Sequence, residues 1–409
     1  MHLTDYEKQL LGGDCGPEAA KLMQIMLKIG EFEGAEDLVT VSNVHLASTQ
    51  ILAISGQGGM DFITRLAESG LTFRAMTTTN PVSIDLEKYD ELGIAFDYAT
   101  WQMKSVAALK KLRAFPSFTC TPYYSGFLHC RGDHLAWVET SAVIFANSYF
   151  GARTNRNVDV AALASALCGR TPCYGMHLEA NRPGQVLVTI RADLSDIADY
   201  GALGNYVGKR IGARIPVFAD QKIKPSIENL VHMGAALATA APIPLYHFFG
   251  VTPEVTTDPL RYGKQHVTEE IIFGRNELTL AKEELLWDNG AELDFVALGC
   301  PHYSPEKVRY VASLLEGKQI RPNITVWVCM SQNTKLMLER TGEVETIESS
   351  GAHVVADTCM CICNYATDTY KKTATDSAKA AYYLAANNLG VEYGTTKECI
   401  EAAIRGYWS

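Results

Sequence analysis

The chain has 409 residues, of which 47% are hydrophobic and 20% are charged, and its net charge is −10. This acidic balance argues against nucleic acid or an anionic membrane surface as the main partner. The length exceeds what one ordinary hydrophobic core accommodates, so two or more lobes are expected.

No segment has the pattern of a signal peptide or of a membrane span. The first residues lack basic and apolar regions, and the longest apolar stretch, residues 230–251, contains two histidines and two prolines. We therefore expect a cytoplasmic protein. In that compartment the eleven cysteines are expected to be reduced thiols or metal ligands rather than disulfides.

Strands and helices alternate through the first third of the chain. The spacing of apolar residues predicts a helical segment over 4–33, a strand over 37–44, a helix over 60–68 and a strand over 72–76. Polar clusters lie at the ends of the two strands, at 43–49 and at 77–81. This alternation is typical of parallel α/β architecture. The polar turns then form one shared site, unless they only cap helices.

Residues 123–156 combine many hydrogen-bonding side chains with small and apolar residues. The apolar side chains at 143–145 indicate that part of this stretch is buried, and buried polar side chains need partners. A bound substrate with several oxygens would supply some of them. The stretch therefore predicts part of a binding site; the alternative is a solvated loop.

The middle of the chain, residues 157–260, is predicted to form a separate lobe with a strand over 186–190. Its glycine-rich part, residues 200–216, contains neither a Walker pattern nor a G-x-G-x-x-G pattern after a strand. A nucleotide cofactor has no support in the sequence.

The last third has the clearest pattern. Apolar strands are predicted over 295–299, 324–329 and 353–356, with helices over 306–316 and 333–340 between them. Right-handed crossovers would place these strands side by side in one parallel sheet. A further helix begins near 373–379, and its Ser, Thr and Lys side chains predict an anion site or plain N-capping.

Three cysteines occupy similar settings far apart in the chain. Cys300 follows the predicted strand 295–299, Cys359 follows the predicted strand 353–356, and Cys120 is predicted to end a short apolar strand of its own. Ligands bind outside the carboxyl ends of strands in such folds, and three thiolates suit a soft metal or an iron–sulfur cluster with one iron position open. Cys361 and Cys363 follow at one-residue gaps, and their geometry argues against all three binding one cluster.

These motifs together resemble the aconitase X family over essentially the whole chain. The matching segments are TTNP at 78–81, CTPYY at 120–124, GDH at 132–134, ETSA at 139–142, NS at 147–148, GARTNR at 151–156, YGMHL at 174–178, GCPH at 299–302, DTC at 357–359 and TDSAK at 375–379. The resemblance implies an aconitase-like α/β/α fold of several lobes, with mostly parallel sheets and the cluster at the carboxyl ends of strands. We expect lobes at 1–156, 157–260 and 261–409.

The resemblance also implies the roles of individual residues. The expected cluster ligands are Cys120, Cys300 and Cys359, for a cluster of the [2Fe–2S] or [4Fe–4S] type. Catalytic roles are expected for Ser141, Lys264, Ser331 and Lys379. Substrate binding is expected for His45, Thr79, Asn80, Glu139, Asn147, Arg153 and Asn155. The length matches a large subunit, so a separate small swivelling subunit is expected to complete the site; the general base lies either on that subunit or on this chain.

The family implies hydro-lyase chemistry, in which the cluster acts as a Lewis acid that takes the leaving hydroxyl of a small hydroxy-carboxylate. Composition favours cis-3-hydroxy-L-proline as the substrate. The alternative, mevalonate 5-phosphate, needs a stronger basic cluster, which Arg153, Arg156, Lys264 and Lys379 would have to form. Other hypotheses are another hydroxy acid, a zinc-bound or non-catalytic subunit, and a cysteine hydrolase that uses Cys300 with His302.

Overall fold

Four β-sheets, each packed against helices, make up the computed structural model, which describes residues 1–219, 224–255, 267 and 269–408. All strand pairs between the named strands are parallel except one two-stranded antiparallel sheet. The predicted α/β architecture of several lobes with mostly parallel sheets is confirmed. No helix in the described part of the chain is long and apolar enough to cross a membrane.

The first sheet has three parallel strands, in the order β3-β2-β4. The elements of this region are α1 Asp5–Gly12, α2 Pro17–Phe32, β1 Leu38–Thr40, β2 Asn43–Leu46, α3 Ser48–Glu68, β3 Met76–Thr79, α4 Phe96–Lys111, β4 Leu135–Trp137, α5 Thr140–Phe145, α6 Asp159–Cys168 and β5 Arg170–Pro172. A π-helical turn, Ala146–Phe150, follows α5. β1 pairs with β5, and α6 packs against α2 and β2.

Two strand predictions in this region need correction. The predicted strand 37–44 is two strands, β1 and β2, because the chain changes its hydrogen-bonding partner between them. Val41 N–H bonds to Gly169 O, next to β5, whereas Ser42 N–H bonds to His134 O, next to β4. The predicted strand 72–76 lies further along, at β3, so the threonines are themselves the strand. Thr78 and Thr79 are buried there, as suits β-branched side chains in a sheet.

The sequence predicted a strand that ends at Cys120, but no regular strand among the described residues directly precedes it. The segment 115–119 runs beside β3, where Phe115 N–H bonds to Thr77 O and Thr119 N–H bonds to Thr79 O, but it is not a regular strand. Pro116 has no N–H to donate, and Phe118 has a positive φ of 37°. Both features prevent a continuous ladder.

The middle region contains a four-stranded parallel sheet in the order β8-β7-β6-β9. Its elements are β6 Val186–Ile190, α7 Ile197–Ile211, β7 Pro216–Ala219, α8 Ile227–Ala240, β8 His247–Phe248, β9 Glu269–Phe273 and α9 Arg275–Glu283. The apolar run 230–251 begins inside α8, which is buried. Lobe boundaries at 156 and 260 remain predictions. Strand β5 lies after residue 156 but pairs with β1 of the first region, and β9 lies after residue 260 but pairs with β6 of the middle sheet.

α7 and α8 pack with their backbones in close contact. A Cβ atom at Gly204 would lie 2.3 Å from Met233 O, and one at Gly208 would lie 2.9 Å from Leu237 O. A side chain at either position therefore has no room, and the two glycines set the distance between the helices.

The last sheet has five parallel strands in the order β12-β11-β10-β13-β14. Its elements are β10 Phe295–Leu298, α10 Pro305–Leu315, β11 Thr325–Met330, α11 Gln332–Glu339, α12 Glu343–Ser349, β12 His353–Ala356, α13 Asn364–Thr369, β13 Lys372–Thr375, α14 Ala378–Ala386, β14 Gly390–Tyr393 and α15 Thr396–Arg405. The prediction of three neighbouring parallel strands is confirmed, because β10, β11 and β12 are adjacent. Their carboxyl ends deliver Cys300, Ser331 and Asp357.

Candidate active site

A cavity of about 340 Å³ lies where the carboxyl ends of the first and last sheets meet. Its polar lining consists of Cys120, Glu139, Thr140, Arg156, Asn157, Cys300, Cys359, Cys361, Lys379 and Tyr383. A larger cavity, of about 910 Å³, lies elsewhere, between the N-termini of α7, α8 and α10, and no thiol lines it. The smaller cavity carries the candidate chemistry, because nucleophilic, acidic and basic groups meet there.

The three predicted ligand cysteines lie on this cavity, and a fourth thiol joins them. Cys300 Sγ is 3.7 Å from Cys361 Sγ, and Cys120 Sγ accepts a hydrogen bond of 3.2 Å from the His302 N–H. Cys361 follows Cys359 after one residue, so the turn that carries Cys359 also brings Cys361 to the cavity wall. The sequence had set Cys361 apart from the ligands.

One imidazole joins the three segments that carry the predicted ligands. His302, two residues after Cys300, has its Nδ1 3.1 Å from Thr119 Oγ1 and its Nε2 2.9 Å from the Thr358 carbonyl oxygen. A carbonyl only accepts, so Nε2 carries the proton and Nδ1 accepts from the threonine hydroxyl. Burial lowers the pKa of His302 to about 4, which keeps the ring neutral. Because both ring nitrogens are used, His302 is not free to act as the base for Cys300.

The thiols have different tendencies to ionise. Burial raises the pKa of the Cys120 thiol well above its usual value. Contacts with Cys300 and Cys359 raise the pKa of Cys361, whereas the hydrogen bond with Cys361 lowers the pKa of Cys359. These groups share protons in the absence of a cation, and a cation bound among them would favour their thiolates.

This donor set fits an iron–sulfur cluster. Within the described ranges, no three His, Cys, Asp or Glu side chains are grouped closely enough to hold one metal ion. A cluster has no need of such a grouping, because each thiolate binds a different iron. The cavity also offers a backbone N–H to Cys120 Sγ, and hydrogen bonds of this kind tune cluster thiolates.

An ion pair forms the opposite wall of the cavity. Lys379, in the first turn of α14, bonds to the Glu139 carboxylate, and its Nζ is 3.4 Å from Ser141 Oγ. Ser141 Oγ donates to Glu139 Oε1 at 3.0 Å, and Asn80 Nδ2 donates to Glu139 Oε2 at 2.7 Å. The N-cap position of Glu139 on α5 explains why a carboxylate is stable there.

The environment holds this pair in its charged form. Burial by itself would raise the pKa of Glu139, but the charge of Lys379 and the hydrogen bonds from Lys379, Asn80 and Ser141 lower it to about 2. Burial would lower the pKa of Lys379, but Glu139 raises it well above its usual value. At neutral pH the site therefore holds a carboxylate and an ammonium ion, and both are poor bases.

His45 extends this set of hydrogen bonds behind the cavity. Its Nε2 is 3.3 Å from Asn80 Oδ1 and its Nδ1 is 2.8 Å from Thr78 Oγ1. Asn80 presents its amide nitrogen to Glu139, so its oxygen faces His45 and accepts a hydrogen bond from the Nε2–H group. Burial lowers the pKa of His45 to about 4. The neutral ring orients Asn80 and does not itself line the cavity.

Several predicted substrate residues lie outside the cavity wall. Asn147 Nδ2 donates to Thr154 O and Pro244 O, and Asn155 Nδ2 donates to Tyr174 O. Arg153 pairs with Glu179 and donates to His177 O. These side chains join segments of the fold. None of these three side chains lines the cavity.

The remaining predicted residues also differ in position. Thr79 Oγ1 accepts from Phe118 N–H at 3.3 Å and so supports the segment before Cys120. Ser331 caps α11 through Thr334 N–H and does not line the cavity. Lys264 lies outside the described residues.

The sequence did not single out Asn157 and Tyr383 for this site, and it named Arg156 in the motif 151–156 and in a basic cluster without giving it a role. All three line the cavity. A usable signal existed for Asn157, because it directly follows the polar motif 151–156. Tyr383 gave none, since an aromatic residue four positions after Lys379 on a helix is ordinary core spacing.

Comparison with known families covers nearly the whole chain. The family models described as the aconitase X first, second and third domains match residues 1–180, 184–283 and 293–405.

The chain belongs to the aconitase X family.

Members with curated names are dehydratases, which are hydro-lyases. Phosphomevalonate dehydratase large subunits of Methanosarcina mazei and Methanocaldococcus jannaschii are 37% and 36% identical to the chain. These matches cover 99% and 94% of this chain and 98% and 95% of the relatives. The cis-3-hydroxy-L-proline dehydratase of Pseudomonas aeruginosa is 31% identical over 99% of this chain but only 70% of its own length.

A solved aconitase X shares the fold. The crystal structure of Thermococcus kodakaraensis aconitase X in its holo-form superposes with a TM-score of 0.88 at 32% identity, over 98% of this chain and 100% of that one. The aconitase-like architecture expected from the motifs is thereby confirmed.

Proposed function

We propose that the protein is the large subunit of a hydro-lyase that removes water from a small hydroxy-carboxylate. The observation that carries this proposal is the meeting, in one cavity, of the thiols of Cys120, Cys300 and Cys359 with the Glu139–Lys379 ion pair. Thiols alone would suit a structural metal. Thiols that face a buried ion pair in an open cavity suit chemistry in which charge develops on a ligand.

An iron–sulfur cluster held by the three predicted thiolates would supply a Lewis acid that stabilises the departing hydroxide. Lys379 presents an ammonium ion to the cavity, where it stabilises negative charge on the substrate. Glu139 fixes the position of that ammonium ion, and Asn80 fixes Glu139. Because Glu139 and Lys379 are both poor bases in this environment, we assign proton removal to the proposed small subunit.

Mevalonate 5-phosphate is our first candidate for the substrate. Composition and the segment 44–48 favoured cis-3-hydroxy-L-proline, but the large subunits named for phosphomevalonate are 36% and 37% identical to this chain, whereas the hydroxyproline enzyme of Pseudomonas aeruginosa is 31% identical. The hydroxyproline enzyme remains the second candidate, since its match still spans 99% of this chain. The name of the first two relatives, large subunit, supports a separate small subunit as the partner.

The test is to purify the chain anaerobically with its proposed small subunit and to measure bound iron, sulfide and zinc. Iron and sulfide should be present, and water should be eliminated from mevalonate 5-phosphate faster than from cis-3-hydroxy-L-proline. Zinc without iron, or iron without elimination from either compound, would contradict the proposal. Elimination from hydroxyproline alone would keep the hydro-lyase and reverse the order of substrates.

The ligand set is tested separately by cysteine variants. Cys120→Ala, Cys300→Ala and Cys359→Ala should each lose most of the iron and sulfide, because each removes one of three cluster thiolates. Cys361→Ala should keep them, and Cys399→Ala is the matched control, because Cys399 is buried in α15 away from the cavity. Loss of iron in Cys361→Ala with retention in one of the first three would assign a different set.

A further inference from the structure

Two neighbouring residues of the cavity wall have hydrogen-bond donors that no described group uses. Asn157 is 8% exposed, and its buried Nδ2 has no partner within the described ranges. The exposed side chain of Arg156 forms no ion pair or hydrogen bond with the part of the chain that the structure describes. Buried amide donors are nearly always satisfied, so a donor left over on a cavity wall points to a ligand.

The backbone holds both residues in place. Asn157 N–H donates to Trp137 O at 3.1 Å, and Arg156 forms a β-bridge with Trp137. Trp137 ends β4 and is fully buried, and Glu139 follows two residues later. The donors of Arg156 and Asn157 are therefore fixed against the same strand end that delivers Glu139 to the cavity.

The charge of the cavity defines the kind of ligand. Among the described residues of its wall, Lys379 is paired with Glu139. Arg156 is therefore the one described cation of this wall without an acidic partner. A carboxylate has one negative charge and two oxygens, which match the fork of a guanidinium group together with an amide N–H. A phosphate monoester carries about −1.5 to −2 and would leave the wall short of positive charge.

We propose that Arg156 and Asn157 bind the carboxylate of the substrate, which deepens the function proposed above and rests on it. In both candidate substrates the carboxylate is attached to the carbon that loses a proton, and the next carbon bears the hydroxyl group. As the C–H bond breaks, its electron pair forms the C=C bond and the C–O bond releases hydroxide, which leaves with that proton as water.

Negative charge spreads onto the carboxylate oxygens during this step. Donors that are already in position on those oxygens stabilise the transition state without having to reorganise. Arg156 and Asn157 thus serve both binding and rate, while the thiol-lined side of the cavity faces the hydroxyl end of the substrate.

The test uses a probe with no hydroxyl to lose, 3-deoxymevalonate 5-phosphate, and its carboxamide. Binding is measured by calorimetry on the anaerobically purified complex. Arg156→Gln and Asn157→Asp should weaken binding of the carboxylate probe roughly 10- to 100-fold, the usual worth of a charge-assisted hydrogen bond. Binding of the carboxamide, which is already weaker to the wild type, should change little. Arg131→Gln, at an exposed arginine off the cavity, is the control and should match the wild type.

Two outcomes would overturn the assignment. Equal weakening of both probes by Arg156→Gln would mean that the arginine holds the phosphate end. Unchanged binding of both would mean that it holds neither end.

Failure of the proposed hydro-lyase function can be distinguished from failure of the carboxylate site. If the wild type eliminates water from neither substrate, but Arg156→Gln and Asn157→Asp weaken binding of the carboxylate probe and not of the carboxamide, the carboxylate site stands without the reaction. If the wild type turns over and Arg156→Gln keeps its kcat/KM, the reaction stands without this site.

Discussion

Each ion of the Glu139–Lys379 pair depends on the other, because both side chains are only 11% exposed. Glu139→Gln leaves a buried ammonium ion without its partner, and Lys379→Met leaves a buried carboxylate. Removing one partner of a buried pair costs about 3–5 kcal/mol, so each single variant should lower the free energy of unfolding by that order. The double variant should lose clearly less than the sum in urea denaturation; an additive loss would show that the two ions are stabilised independently.

Buried histidine makes the fold sensitive to acid. His177 faces His134, Arg153 and Arg182, and burial together with these neighbours lowers its pKa to about 3. The unfolded chain therefore takes up a proton near pH 6.5, well before the folded chain does. The cost to the folded state is absent above about pH 6.5 and grows as the pH falls towards about 3.

His177→Gln should reduce this acid sensitivity. Between pH 7 and pH 5 the wild type should lose about 1–2 kcal/mol more unfolding free energy than the variant, measured by urea midpoints at the two pH values. His2→Gln, at an exposed histidine, serves as control and should follow the wild type. Parallel loss in His177→Gln and the wild type would mean that His177 takes up its proton at the same pH in the folded and the unfolded chain.

The settings of Cys120, Cys300 and Cys359 predicted that three thiols converge, and the family resemblance added Glu139 and Lys379; these five residues do meet at one cavity. Residue types alone could not separate these residues from polar side chains that hold the fold together. Asn147 and Asn155 look equally suited to a substrate in sequence, but their partners are backbone carbonyls up to 97 residues away. Contacts of that range leave no local pattern.

At the scale of elements, the contact of α7 with α8 depends on having no side chain at Gly204. Gly204→Ala would place a methyl group 2.3 Å from Met233 O and should force the helices apart, at a cost of about 1–3 kcal/mol. Gly58→Ala in α3 is the control, because its Cβ would meet nothing within 4 Å and alanine favours helix. Thermal unfolding distinguishes them; equal stability of both variants would show that α7 can shift freely.

The apolar strands of the last sheet were predictable because β10, β11 and β12 are buried on both faces and read as continuous apolar runs. The Thr-rich strand β3 was not, since its side chains are polar and are buried with hydrogen bonds such as Thr77 Oγ1 to Ala75 O. Helix α7 was also not predicted, because its glycines are typical of a loop. In the structure these glycines allow α8 to pack closely against it.

For the whole molecule, the first and last sheets point their carboxyl ends at a common cavity, although the residues that line it are spread along the chain from Ala47 to Tyr383. The middle sheet and its helices pack into the same hydrophobic core as residues of the last sheet, such as Phe295 and Trp327. The division into three lobes remains a prediction, but a site shared between distant parts of the chain agrees with the expectation that Cys120 meets Cys300 and Cys359.

The imidazole of His302 contacts the segments that carry all three predicted ligands. Its bonds to Thr119 and Thr358 are purely protein contacts, so the relative position of the thiols is part of the polypeptide's own architecture. If the proposed cluster were destroyed by oxygen, these protein contacts would still hold the three cysteine segments together. We therefore expect that a new cluster can be inserted into the folded chain without new protein synthesis.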